Sequence, residues 1–124
     1  LADDKVVIDR IVGDVEGRDV IVIDDEIATG GSMIELLERL REYKVRSIAI
    51  ATTHGLFTGK AVERLNAQPD VTEVVSTSTV PLTPERRPDR LSVRSVAPLF
   101  AEAVKRHHVG SSISSLFSDE VTHG

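Results

Sequence analysis

Residues 21–33 read Ile-Val-Ile-Asp-Asp-Glu-Ile-Ala-Thr-Gly-Gly-Ser-Met, an apolar run that leads through acids and glycines into a second apolar run. The start of the stretch predicts a buried β-strand, and the residues from Ser32 onward predict a helix. Backbone N–H groups at a helix N-terminus are unpaired and attract anions, and glycine lets the backbone come close to an anion. The stretch therefore predicts a phosphate site on the loop between strand and helix, with two carboxylates, Asp24 and Asp25, beside it.

The segments around this stretch alternate between strand and helix patterns. Strands are predicted at residues 5–12, 19–24, 45–51, 71–76 and 91–96, and helices at residues 32–43, 59–67 and 98–107. The first helix begins with Ser32 and Glu35 at the spacing of a capping box, and Glu35 is placed for an ion pair with Arg39. The first two strands are close enough in sequence for an antiparallel hairpin. The alternation predicts an α/β fold, an open and mostly parallel sheet flanked by helices, with an N-terminal β-hairpin.

Composition narrows the class of protein. The 124 residues are 40% hydrophobic and only 3% aromatic, which predicts one domain with a core of Val, Ile, Leu and Ala. The net charge of −5 argues against nucleic-acid binding, and the absence of cysteine excludes disulfides and thiolate metal sites. No stretch approaches the ~20 apolar residues of a membrane helix and no signal peptide is visible, so we expect a cytoplasmic protein that does not interact with membranes. Because the chain begins with Leu1, we also expect a processed chain or a fragment.

Six segments of the chain, in order, resemble one enzyme family. They lie at residues 14–20, 21–33, 51–59, 61–66, 95–103 and 112–117. Residues 21–33 resemble the motif with which type I phosphoribosyltransferases bind 5-phosphoribosyl 1-diphosphate (PRPP), and the other segments look like ribose-phosphate pyrophosphokinase, also called PRPP synthetase. The resemblance covers nearly all of the chain and fits the C-terminal half of that enzyme. It implies a type I phosphoribosyltransferase-like, Rossmann-like fold, with residues 1–124 as a single domain and the N-terminal half of the enzyme outside this chain.

The resemblance also implies a reaction and a substrate site. Enzymes of this family move the diphosphoryl group of ATP to the C1 hydroxyl of ribose 5-phosphate, with Mg²⁺ as cofactor, and assemble as homo-oligomers. By the resemblance, Asp24 and Asp25 would contact the ribose, and the 5-phosphate would lie on the loop formed by Ala28, Thr29, Gly30, Gly31 and Ser32. The ligands of the metal stay unassigned. The catalytic cations are expected in a Lys/Arg loop before Leu1, and most ATP contacts in the N-terminal half, so this chain alone is predicted to be inactive.

Ala28 departs from the family pattern, because most relatives carry an acid at this position. Alanine keeps the backbone N–H for a phosphate but leaves ribose contacts at this position open. The missing acid counts against one alternative, a phosphoribosyltransferase that consumes PRPP and depends on that acid as a base. It is compatible with another, a non-catalytic regulatory subunit that assembles with an active synthetase. His54, near the end of a predicted strand, matches a family position, and we interpret it as a structural hydrogen-bonding residue.

Overall fold

The structure, a computed structural model, describes residues 13–116. Within this range the chain forms, in order, β1 (Asp19–Ile27), α1 (Gly31–Glu42), β2 (Ser47–Gly55), α2 (Ala61–Asn66), β3 (Val71–Thr77), β4 (Leu91–Arg94) and α3 (Ala97–Val109). Short 3₁₀ turns lie at Pro84–Arg86 and Ser114–Leu116. The elements follow the order expected from the sequence pattern.

The four strands form one parallel sheet in the order β1-β2-β3-β4. Ile23 pairs with Ala51 across β1 and β2, and Val75 pairs with Ser92 across β3 and β4. The predicted α/β class and the mostly parallel sheet are therefore confirmed. The predicted strand at residues 5–12, and with it the N-terminal hairpin, lies outside the described residues.

The core lies between one face of this sheet and the helices α1 and α2. Its buried apolar side chains are Val22, Ile27, Met33, Leu37, Leu40, Ile48, Ile50, Phe57, Ala61, Leu65, Val71 and Val74. Each fully buried Leu or Ile contributes roughly 1.5–3 kcal/mol relative to an exposed one. On the opposite face of β1, Ile21 and Ile23 remain 70% and 82% exposed. The period-two alternation of a strand thus separates a covered face from an open one.

Two details of β1 and α1 differ from the sequence prediction. β1 continues three residues past Asp24, because Glu26 and Ile27 still pair with β2. α1 begins at Gly31 with Gly30 as its N-cap, and no side chain among the described residues caps it, so the capping box is not formed. The predicted pair of Glu35 with Arg39 is also wrong, since Arg39 Nη1 lies 3.0 Å from Glu42 Oε2 instead.

The chain after β2 makes a turn that joins the ends of β1 and β2; we call residues 55–58 the bracing turn. The N–H groups of Leu56 and Phe57 both donate to the Ile27 carbonyl, at 2.9 and 3.2 Å, and the Thr58 N–H donates to the Ala28 carbonyl at 2.9 Å. Phe57 is 1% exposed and has a φ of 49°. A non-glycine residue in this region is strained, so the buried ring must hold the turn in place.

An ion pair connects the last turn of α1 to the residue before β3. Arg41 donates from Nε and Nη2 to the two carboxylate oxygens of Asp70, both at 2.7 Å, and also donates to Gln68. The hydrogen bond from Arg41 lowers the pKa of the Asp70 carboxyl below its ordinary value, against the opposing effect of burial. The pair fixes where α1 ends relative to the sheet.

The described residues divide into two compact units, with the boundary between Arg94 and Ser95. The second unit contains α3, which ends at Gly110 in the left-handed conformation with a φ of 74°. Arg106 there donates to Glu102 at 3.1 Å and to the hydroxyl of Ser115. No helix in the described range is long and apolar enough to cross a membrane.

We predict that Gly55→Ala destabilises the fold by about 1–3 kcal/mol, because the added methyl overpacks the bracing turn. A Cβ at this position would lie 2.5 Å from Phe57 Cε2 and 2.6 Å from Ser76 Oγ. Urea unfolding measures the change. Gly31→Ala is the matched control, since its Cβ would meet Arg64 Nη1 at an ordinary 3.6 Å. Equal unfolding midpoints for the two variants would contradict the assigned close packing.

We also predict a pH-dependent effect of Asp70→Asn. A carboxyl whose pKa is lowered on folding stabilises the protein fully above its unfolded pKa of about 3.9, and that contribution is lost as the pH falls through the folded pKa. The variant should therefore be less stable than the parent near neutral pH, by about 1 kcal/mol for this partly exposed pair. The difference should shrink as the pH is lowered below about 4. Denaturation at a series of pH values tests this, with Glu42→Gln as the control at an exposed ion pair.

Candidate functional site

A cavity of about 230 Å³ lies where β1 ends and α1 begins, at the carboxyl edge of the sheet. Its lining residues are Asp24, Glu26, Ile27, Ala28, Thr29, Gly30, Gly31, Ser32 and Met33. Six of the seven predicted substrate contacts, Asp24 and the five residues 28–32, therefore line one cavity. Ligands in open α/β folds bind at this edge of the sheet. We call residues 28–32 the phosphate loop.

The phosphate loop and the first turn of α1 present unpaired backbone donors. In the described part of the chain, the five N–H groups at the start of α1 have no acceptor: those of Thr29, Gly30, Gly31, Ser32 and Met33. The N–H of Ala28, just before them, has none either. The next N–H along the chain, that of Ile34, donates to the Gly30 carbonyl at 2.9 Å. Gly30 has a φ of 80°, a conformation that costs glycine little and other residues more. The free donors and the positive end of the helix dipole together favour an anion here.

The acidic residues beside the loop are arranged differently from the expectation. Asp24 and Glu26 line the cavity, whereas Asp25 does not. In a strand, residues two apart share a face, and Asp25 shares the open face of Ile21 and Ile23. Glu26 was not selected from the sequence because β1 was expected to end at Asp24. If the strand had been predicted to continue two residues past Asp24, its alternation would have placed Glu26 on the same face as Asp24.

His54 lies at the end of β2, paired in register with Glu26. Its Nδ1 is 2.7 Å from the hydroxyl of Thr79, and the Thr79 hydroxyl lies 3.1 Å from the Thr53 carbonyl. The hydroxyl of Thr77 donates to the same carbonyl at 2.6 Å. The imidazole therefore belongs to a hydrogen-bond network that joins the ends of β2 and β3, as expected of a structural histidine.

The carboxylates suit a divalent cation only in part. The described residues contain no cluster of three or more His, Cys, Asp or Glu side chains that could hold a metal ion. Mg²⁺, however, is commonly bound by one or two carboxylates together with substrate oxygens and water. Asp24 and Glu26, which share the cavity, match that donor set. The site can thus bind a phosphate on one side and hydroxyl groups or a hydrated cation on the other.

The chain is similar in sequence to one family of known proteins. Residues 3–118 match the family model described as phosphoribosyl synthetase-associated domain. A Streptomyces coelicolor protein with the provisional name ribose-phosphate pyrophosphokinase is 55% identical over 116 residues, which are 94% of this chain and 37% of that protein. The ribose-phosphate pyrophosphokinase of Caldanaerobacter subterraneus subsp. tengcongensis is 46% identical over 109 residues, which are 88% of this chain and 34% of that protein.

A solved structure shares the fold. The crystal structure of phosphoribosylpyrophosphate synthetase from Mycobacterium smegmatis superposes with a TM-score of 0.77 at 38% sequence identity. The superposition covers 82% of this chain and 34% of the other. The chain thus spans little more than a third of the length of the relatives that it matches.

Proposed function

We propose a function from the premise that this chain belongs to the family of phosphoribosyl synthetase-associated domains. It provides the ribose 5-phosphate site of a ribose-phosphate pyrophosphokinase. The longer protein would transfer the diphosphoryl group of ATP to the C1 hydroxyl of ribose 5-phosphate, giving PRPP and AMP. The names of the relatives and the chemistry of the cavity support this proposal.

The five unpaired N–H groups at the start of α1 are the observation that carries this proposal. A sugar phosphate supplies what they lack, an anion with several acceptor oxygens. In the proposed complex the 5-phosphate lies on the phosphate loop, and Asp24 accepts hydrogen bonds from ribose hydroxyls. Ala28 contributes only its backbone. A ribose contact by Asp25, which lies outside the cavity lining, stays a prediction.

Mg²⁺ is the proposed cofactor, with Asp24 and Glu26 as the carboxylates that would hold it. When bound, the cation would neutralise charge on the transferring phosphates. The residues of this chain would bind and orient the sugar phosphate beside it.

The remaining proposals concern the whole protein. We assign residues 1–124 to a single type I phosphoribosyltransferase-like domain, the C-terminal half of a two-domain enzyme that works as a homo-oligomer. The cations that stabilise the diphosphoryl group would come from outside this chain. The cytoplasmic location stays a prediction. Ala28, in place of the usual acid, favours one second candidate, a regulatory subunit that binds ribose 5-phosphate without turnover.

We predict that Gly30→Val weakens ribose 5-phosphate binding by roughly tenfold or more, about 1.4 kcal/mol. A β-branched residue is strained at a φ of 80° and would shift the N–H groups that hold the phosphate. Ala28→Asp should leave phosphate affinity largely unchanged, because the backbone donor remains. Calorimetric titration measures both variants. Gly110→Val, at a φ of 74° and outside the cavity lining, controls for strain alone. If Gly30→Val bound ribose 5-phosphate as tightly as the parent, the assignment of the phosphate to this loop would be wrong.

We also predict that the 124-residue chain, incubated with ATP, Mg²⁺ and ribose 5-phosphate, releases no AMP above background. Phosphoryl-type transfer needs cations on the transferring group, and this proposal assigns them to another part of the protein. The longer protein that contains this chain should release AMP and PRPP in equal amounts. Turnover by the chain alone would contradict the assignment. Binding without turnover by the longer protein would support the regulatory subunit instead.

A further inference from the structure

Arg64, on α2, contacts the phosphate loop. Its Nη1 donates to the carbonyl oxygen of Thr29 at 2.9 Å, across 35 positions in the sequence. The same nitrogen lies 3.6 Å from where a Cβ on Gly31 would stand, so the guanidinium lies over the start of α1. The side chain is half-buried. Neither composition nor spacing singled out this residue.

The backbone of α2 holds Arg64 in place. Its N–H donates to the Lys60 carbonyl at 2.9 Å, and its carbonyl accepts from Gln68 Nε2 at 3.0 Å. Nearby, the position of a Cβ on Gly30 would be 3.5 Å from Ala61 Cα, an ordinary contact between the loop and the start of α2. The guanidinium therefore reaches the phosphate loop from a supported helix.

The contact has an electrostatic consequence for the neighbouring peptide. The Thr29 carbonyl belongs to the same peptide group as the Gly30 N–H, one of the five unpaired donors. A cationic hydrogen bond on the carbonyl oxygen polarises this peptide and makes its N–H a stronger donor. The positive charge also offsets the carboxylates of Asp24 and Glu26 in the same cavity, which would otherwise repel a phosphate.

We propose that Arg64 is a positioning residue for the substrate phosphate: it holds the Thr29–Gly30 peptide in its anion-binding orientation and strengthens the Gly30 N–H as a donor. This inference rests on the proposed function, because it concerns the same phosphate loop. Arg64 acts through the peptide and needs no direct contact with the phosphate. A Cβ at Gly31 would already be in ordinary contact with Arg64 Nη1 at 3.6 Å, so a large side chain there would displace the guanidinium.

The test compares Arg64→Met, which keeps length but removes charge and donors, with Arg64→Lys, which keeps the charge. Lys60→Met is the matched control, since it removes a positive charge four positions away on the same segment. Titration calorimetry with ribose 5-phosphate, and separately with inorganic phosphate, measures binding by the 124-residue chain. The ¹⁵N resonance of Gly30 in the free protein reports the polarisation of its peptide. Urea unfolding of each variant monitors stability.

We expect Arg64→Met to bind ribose 5-phosphate about tenfold more weakly, Arg64→Lys to recover part of the loss, and Lys60→Met to change affinity less than twofold. The Gly30 resonance should move in Arg64→Met and stay in place in Lys60→Met. Parent-like affinity for Arg64→Met, or an unmoved Gly30 resonance, would overturn the positioning role, even with a lowered unfolding midpoint. If the parent itself binds neither ligand, the proposed function fails and this inference fails with it.

Discussion

The hydrogen bonds from the bracing turn to the carbonyls of Ile27 and Ala28 are the constraint on which the site depends. They continue the pairing of β1 and β2 beyond the last residues of both strands. The ring of Phe57, buried against Gly55, keeps the turn in a backbone conformation that it would otherwise leave. These hydrogen bonds fix the chain as it leaves β1, just before the start of α1, where the N–H groups of the first turn have no partner within the helix.

The charges around the phosphate loop are balanced rather than simply positive. Asp24 and Glu26 bring negative charge into the cavity, and a phosphate adds more. The backbone donors, the helix dipole and the Arg64 guanidinium oppose this charge. The arrangement suits a ligand with an anionic end and a hydroxyl-rich end, as in ribose 5-phosphate, the substrate proposed here.

Local sequence patterns were sufficient to predict most of the secondary structure and the class of fold. The apolar run before Asp24, the two glycines and the apolar face after Ser32 lie within one short segment, so the strand, loop and helix could be predicted together. The parallel sheet followed from the alternation of elements. The predicted ends of the strands and helices were less accurate than their order. β1 and β2 extend further than expected because each strand is stabilised by its partner, and pairing between distant segments is invisible to a local pattern.

The sequence alone therefore determined the class of fold and the strand, loop and helix on which we propose the phosphate site, because these depend on local patterns along the chain. The tertiary structure decided which acids share the cavity, since Glu26 replaces Asp25 only when β1 continues along β2. It also decided that Gly30 rather than Ser32 precedes α1, and that Arg64 reaches the Thr29 carbonyl. These features depend on contacts between segments far apart in sequence, and such contacts exist only after the chain has folded.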